Sequence, residues 1–180
     1  MADLFQRITG SRNVLEKIVN VIPGFKGYMD RNARRDADKL LREAVASKLE
    51  QQWLRISELQ RQLISQGGID TVDDLEAAAI KLRTLIDRVR TASYGFAGFF
   101  DAVKVREPEL EKLYQFDETL LDRAVQMAAA VDNVAASIGS DGLPASIRNV
   151  AALAQEGLDA FNSRSEVILA ADSPAAPASQ

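Results

Sequence analysis

Apolar residues recur three and four positions apart along most of the chain, the spacing of one face of an α-helix. Over residues 2–21, Leu4, Ile8, Leu15, Ile18 and Ile22, with Phe5 and Val19 beside them, predict an amphipathic first helix that can break near Gly10-Ser11. It must end at Ile22-Pro23-Gly24-Phe25-Lys26-Gly27-Tyr28, because proline lacks an amide donor and pushes Ile22 out of the helical region. Gly24 can take the positive φ that a type II turn needs at its third position, and Phe25 and Tyr28 are expected to anchor this corner in the core.

Asp30 can cap the next helix, which nothing interrupts before Gly67-Gly68. The reading is a rod of about 37 residues, roughly 55 Å long. Its inward stripe is Ala33, Ala37, Leu41, Val45, Leu49, Ile56, Leu59 and Leu63, with Trp53 close by. Gly67-Gly68 ends the rod in left-handed fashion, and Thr71-Val72-Asp73-Asp74 is expected to open another helix with a cap residue and first-turn acids. Val72, Leu75, Ala79, Leu82, Ile86 and Val89 then form a coiled-coil-like seam, whose simplest partner is the long helix, run back against antiparallel.

Residues 93–105 break the pattern. Four of the chain's aromatic residues, Tyr94, Phe96, Phe99 and Phe100, crowd together there, with Gly95 and Gly98 between them. An aromatic plug closing one end of the bundle, a docking knob for a protein partner, and a tip dipping into a membrane or covering a ligand are the competing readings. Glu107-Pro108-Glu109 restarts the helix, with Leu110, Leu113, Leu120, Ala124, Met127, Val131, Val134 and Ile138 as its stripe. Asp117 falls at the seam position that this stripe skips. The helix is expected to rotate there, turning Phe116 inward and Asp117 outward. After the Gly139-Ser140-Asp141-Gly142 turn, Leu143-Pro144 begins a last helix with Ile147, Val150, Ala154, Leu158, Phe161 and Ile168 inward. These elements predict an all-α fold: a single elongated, mostly antiparallel bundle of four main helices plus the short N-terminal one, over residues 1–170. Residues 171–180, rich in Ala, Pro and Ser, are expected to be a disordered tail.

Composition narrows the chemistry. At 180 residues the chain fits one domain with a sizeable core. It has neither Cys nor His, which removes disulfides, thiolate and imidazole metal ligands, and Cys- or His-based catalysis. Any proton chemistry near neutrality needs a perturbed carboxylate, lysine or tyrosine. The acid groups Glu107, Glu109, Glu111 and Asp117, Glu118, Asp122 lack both the Glu-x-x-His pairs of di-iron bundles and a calcium-loop spacing, so no metal and no cofactor is expected. Net charge is −4, unevenly spread: residues 1–62 hold 12 basic against 8 acidic side chains, the rest 10 against 18. No leader peptide is expected, since Gln6 and Arg7 separate Leu4-Phe5 from Ile8. No run nears the ~20 apolar residues of a membrane span. The expected compartment is the cytoplasm, with the inner face of the membrane a peripheral alternative.

Two segments stand out together: Ile22-Pro23-Gly24-Phe25-Lys26-Gly27-Tyr28 followed by Arg34-Arg35 and Asp38-Lys39-Leu40-Leu41-Arg42, and Tyr94-Gly95-Phe96-Ala97-Gly98-Phe99-Phe100-Asp101-Ala102-Val103-Lys104-Val105. With them the chain resembles an uncharacterised family of small prokaryotic all-helical proteins. The resemblance covers roughly residues 20–125 and implies a helical fold; it carries no catalytic role over to any residue. The functional expectation is a non-catalytic interaction or scaffold protein, working through a protein partner or self-association. Candidate contact residues are Tyr94, Phe96, Phe99, Phe100, Arg31, Arg34, Arg35, Lys39 and Arg42. The alternative is a module associating with an anionic membrane surface, through Leu4, Phe5 and Ile8 or through the aromatic tip. A third reading, nucleic-acid binding through Arg34 and Arg35, is weakened by the acids interleaved with them, Asp36, Asp38 and Glu43.

Overall fold

The computed structural model describes residues 14–28, 30, 34–92 and 107–172, and among them all regular structure is helical. Helix α1 covers residues 14–21, α2 Arg34–Ser65, α3 Ile69–Thr91, α4 Glu107–Ser137 and α5 Leu143–Asp172. The aromatic stretch 93–105, Leu4, Phe5, Ile8, Arg31, Ala33 and the tail residues 173–180 lie outside the described residues.

Local chemistry accounts for the element ends. Gly67 has φ 79°, its amide bonds to the Ile64 carbonyl and that of Gly68 to the Leu63 carbonyl, so α2 closes in a Schellman motif that no β-carbon would enter without strain. Because this turn is so tight, α3 resumes at Ile69, two residues earlier than the Thr71 start that the sequence suggested. The Thr71 hydroxyl accordingly donates back to the Gly68 carbonyl at 3.0 Å instead of capping the helix. The 22–28 corner has two left-handed glycines, Gly24 (φ 85°) and Gly27 (φ 79°), and Phe25 and Tyr28 are both buried beneath it, as the turn chemistry indicated.

Consecutive helices form two antiparallel hairpins, α2 with α3 and α4 with α5. Gln60 reaches Glu76 and Glu50 reaches Arg90 across the first; Arg123 reaches Glu156 across the second. The hairpins lie side by side the same way round. Parallel neighbours are therefore α2 with α4, joined by Arg55 and Asp132, and α3 with α5, joined by Arg88 and Asn162 at 2.8 Å. The 32-residue α2 is about 48 Å long at ~1.5 Å per residue, which makes the bundle elongated. At the basal end, where α2 begins, α3 ends and α4 starts at opposite corners.

The inward stripes form one core. Leu41, Val45, Leu49, Ile56 and Leu63 of α2 meet Leu75, Leu82, Ile86 and Val89 of α3, Leu113, Leu120, Met127 and Val134 of α4, and Ile147, Val150 and Phe161 of α5. Each such side chain contributes about 1.5–3 kcal/mol on burial. Gly157 allows α3 and α5 to close up, since a β-carbon there would stand 2.6 Å from Leu85 Cδ2. Helix α1 lies over the basal half through Ile18, and Ile22 just after it is buried too, with Lys17 holding Glu118 at 2.8 Å and Asp122 at 3.0 Å on α4.

Gly27 and Gly67 share the same φ but not the same surroundings. A β-carbon on Gly27 would come 2.6 Å from Tyr114 Oη and 3.1 Å from Leu15 Cδ1, whereas one on Gly67 meets nothing within 4 Å. Gly67→Ala should cost about 1–2 kcal/mol, the left-handed backbone strain alone, and Gly27→Ala distinctly more. Urea denaturation of the two variants checks this; equal losses would mean that the corner is not closed over Tyr114.

Candidate functional site

The polar interior of the basal end begins with the i, i+4 spacing of α2. Arg34, Asp38 and Arg42 stand one turn apart on the same side as Ala37, Leu41 and Val45, and all three are buried. Arg42 donates from Nε to Asp38 Oδ2 at 2.8 Å, and from its Nη1 to the carbonyls of Val89 (3.3 Å) and Arg90 (3.2 Å). One guanidinium thus ties α2 to the last turn of α3, whose carbonyls have no partner within their own helix. Arg34 donates to the Tyr28 carbonyl at 2.7 Å and fastens the corner to α2.

The centre of the network is Arg164 on α5, fully buried at 0% exposure. Its Nη2 donates to Asp38 Oδ1 at 2.6 Å and its Nε to Asp117 Oδ1 at 2.7 Å, joining α5, α2 and α4. Asp117 Oδ2 also accepts from the Tyr28 hydroxyl at 2.7 Å, and the Tyr28 amide donates to the Tyr114 hydroxyl at 2.7 Å. The Tyr28 ring lies 5.5 Å from Phe25, edge to face, and 5.2 Å from Tyr114. Burial pushes the Asp117 carboxyl up to about 6, against the lowering influence of the Arg164 charge and the two hydrogen bonds it accepts. Tyr28 is held well above its ordinary range, first by burial and then by the Asp117 charge beside it, and burial raises Tyr114 as well.

The rotation expected at Asp117 does not occur. Phe116 is half-buried, while Asp117 is fully buried and stays in register with Leu113 and Leu120. The helix keeps its period because the charge-assisted bond from Arg164 and the bond from Tyr28 offset much of the desolvation of the carboxylate. Sequence reading missed Arg164 altogether. The signal was present: Arg164 occupies the stripe position between Phe161 and Ile168, and it and Asp117 stand at nearly equal distances from the turn at 138–142. Opposite charges interrupting two consecutive apolar stripes at matched distances from a hairpin turn are expected to meet.

This geometry separates residues that the sequence grouped together. Of the basic candidate residues at the start of α2, Arg35 and Lys39 are exposed, with Lys39 near Glu43 at 3.8 Å, whereas Arg34 and Arg42 face inward and offer nothing to a surface partner or to phosphate. The acid group of α4 divides too: Asp117 points into the core, while Glu118 and Asp122 hold Lys17 outside. Among the described residues no three acidic groups stand together as ligands for a metal ion. In the described part of the N-terminal segment Ile18 and Ile22 are turned into the core, whereas Val19 and Val21 are exposed. Among the described residues no helix is long and apolar enough to cross one.

The arrangement ties α2, α3, α4, α5 and the 22–28 corner to one another. No family model, curated protein or solved structure matches the chain.

Removing one member of this network leaves buried charges without their partner. Arg164→Met should cost about 3–5 kcal/mol, and Asp117→Leu a comparable amount. The double variant should lose less than the two singles together, because it leaves neither charge of the pair behind. Equilibrium urea unfolding of all three tests this, and strictly additive losses would show that the two side chains do not act as a pair.

Proposed function

We propose that this protein is a non-catalytic helical scaffold acting through a protein partner, in the cytoplasm of a prokaryotic cell. The observation that supports this reading most is the apolar character of the outer side of the α2–α3 hairpin. Leu54, Ile64, Ile69 and Ile80 are each more than half exposed, from 53% to 67%, on positions turned away from the core. Single exposed apolar side chains are ordinary on any protein. Four large aliphatic residues on one hairpin are a surface that a second protein can cover, and Trp53, half-buried beneath Arg83 at 5.3 Å, adds an aromatic residue of the kind found at interface hot spots.

The second support is the use made of the polar groups. Tyr28, Tyr114, Asp38, Asp117, Arg42 and Arg164 are the described residues best able to do chemistry in a low-dielectric setting, and their hydrogen bonds tie elements of the fold to one another. A scaffold built on long helices needs such ties. The exposed members of the basic start of α2, Arg35 and Lys39, remain as a polar contact surface at the basal end.

The test is affinity isolation from the source cell with the wild-type chain and with a Leu54→Glu, Ile80→Glu double variant, alongside sedimentation velocity for self-association. Both side chains lie outside the core, so the helical circular dichroism and the melting temperature should stay unchanged. A complex or oligomer formed by the wild type should be lost. If the purified wild-type chain instead turned over a phosphoester or acyl substrate, and one carboxylate substitution abolished that turnover, the scaffold reading would be wrong.

A further inference from the structure

We propose that the outer groove between α2 and α3 takes a basic amphipathic helix of the partner protein, with two cations of that helix set between two apolar anchors. This rests on the scaffold reading of the same hairpin and adds the chemistry of the partner. Contacts across the hairpin place the walls of the groove. Gln60 donates to Glu76 at 2.6 Å, and the Arg83 guanidinium lies 5.3 Å over the Trp53 ring, so these side chains mark where the outer flanks of α2 and α3 meet. Along its flank α2 carries Trp53, Ser57, Gln60 and Ile64; along the facing flank α3 carries Ile69, Asp73, Glu76 and Ile80. Both sets are spaced four, three and four residues, which keeps each on one side of its helix. Each reads apolar, polar, polar, apolar. Because the two helices run antiparallel, Trp53 comes within a turn of the level of Ile80, and Ile64 within a turn of that of Ile69. The groove therefore has an apolar site at either end, with Leu54 at the edge of one, and a polar middle.

Charge selects the occupant. From Glu58 to Ile80 five acidic side chains stand against one basic, Arg61, and all six are exposed. The helix dipole of α3 accounts for Asp70 in its first turn and fades before Asp73 and Glu76. Those two acids lie between the apolar sites, and the group that Glu76 meets there, Gln60, is neutral. A partner that brings lysine or arginine to the middle of the groove is attracted, and one that brings carboxylates is repelled. The spacing selects a helix. Ile69 and Ile80 are eleven residues apart, roughly 16 Å at 1.5 Å per residue, and eleven residues bring a helix back to within about 20° of the same face. A helix lying along the groove thus meets both apolar sites with its residues i and i+11, and the acids with i+4 and i+7. An extended segment would draw its affinity from a sheet edge, which this helical hairpin does not offer.

Trp53 is the only tryptophan of the chain, so its emission reports on occupancy of the groove. The probes are two synthetic helical peptides of about 18 residues without tryptophan, both with leucine at i, i+3, i+8 and i+11. One has lysine at i+4 and i+7, the other glutamate. The lysine peptide should shift the Trp53 emission and bind about tenfold tighter than the glutamate peptide at low salt, and the gap should close as salt is added. Asp73→Asn with Glu76→Gln should make the two peptides equal, and Asp73→Lys with Glu76→Lys should reverse their order. Helical circular dichroism should not change in either variant, since both side chains are exposed. Equal binding of the two peptides by the wild type, or no change of emission with either, overturns the inference. If self-association is then found that Leu54→Glu with Ile80→Glu removes, the occupant is a second copy of the chain. Neither result touches the scaffold reading, which is decided by the affinity isolation and the turnover assay, where the peptides take no part.

Discussion

The contact between Arg164 and the two carboxylates Asp117 and Asp38 is the constraint on which the basal end depends. A guanidinium with no solvent exposure is tolerable only where its charge is met and its donors are directed at acceptors, and Arg164 meets Asp117 from Nε and Asp38 from Nη2. Because those acids belong to α4 and α2, the contact sets how three long helices sit relative to one another. Apolar stripes alone do not do this well: a Leu-on-Leu seam loses little when one helix slides a turn against its neighbour, whereas a slide of one turn here would strand a buried charge.

Around that contact the other polar groups fall into place as ties between elements. Arg42 carries the network from Asp38 to the end of α3, and Tyr28 carries it from Asp117 to the corner that leads from α1 into α2. The connected set reaches every helix except α1 directly, and holds α1 through the corner. Among the described residues the opposite end of the bundle has no such interior. Its two connections, at Gly67 and Gly139, are tight glycine turns over an apolar core, so the molecule is polar inside at one end and apolar inside at the other.

This division bears on what surface remains. Residues that read as a basic face in one dimension are sorted by the helical period into an inward row, Arg34 and Arg42, and an outward pair, Arg35 and Lys39. Acids of α4 are sorted likewise. What stays outside includes Arg35 and Lys39 at the base and the aliphatic residues Leu54, Ile64, Ile69 and Ile80 of the α2–α3 hairpin.

The helices, their inward stripes and most of their ends could be read from the amino-acid sequence, because they rest on local causes: the 3.6-residue period, the positive φ that glycine permits, and the missing donor of proline. The Leu41-to-Leu63 stripe, the Schellman end at Gly67 and the buried Phe25 and Tyr28 are all of this kind. The side-by-side placement of the two hairpins, the inward aim of Asp117 and the role of Arg164 were decided by tertiary structure. A charge in an apolar stripe has two outcomes, rotation to solvent or burial against a partner, and only the packing of a second helix carrying the opposite charge selects between them. The energy that settles the choice, a desolvation cost set against a short ion pair from a residue far along the chain, exists only once the helices have met.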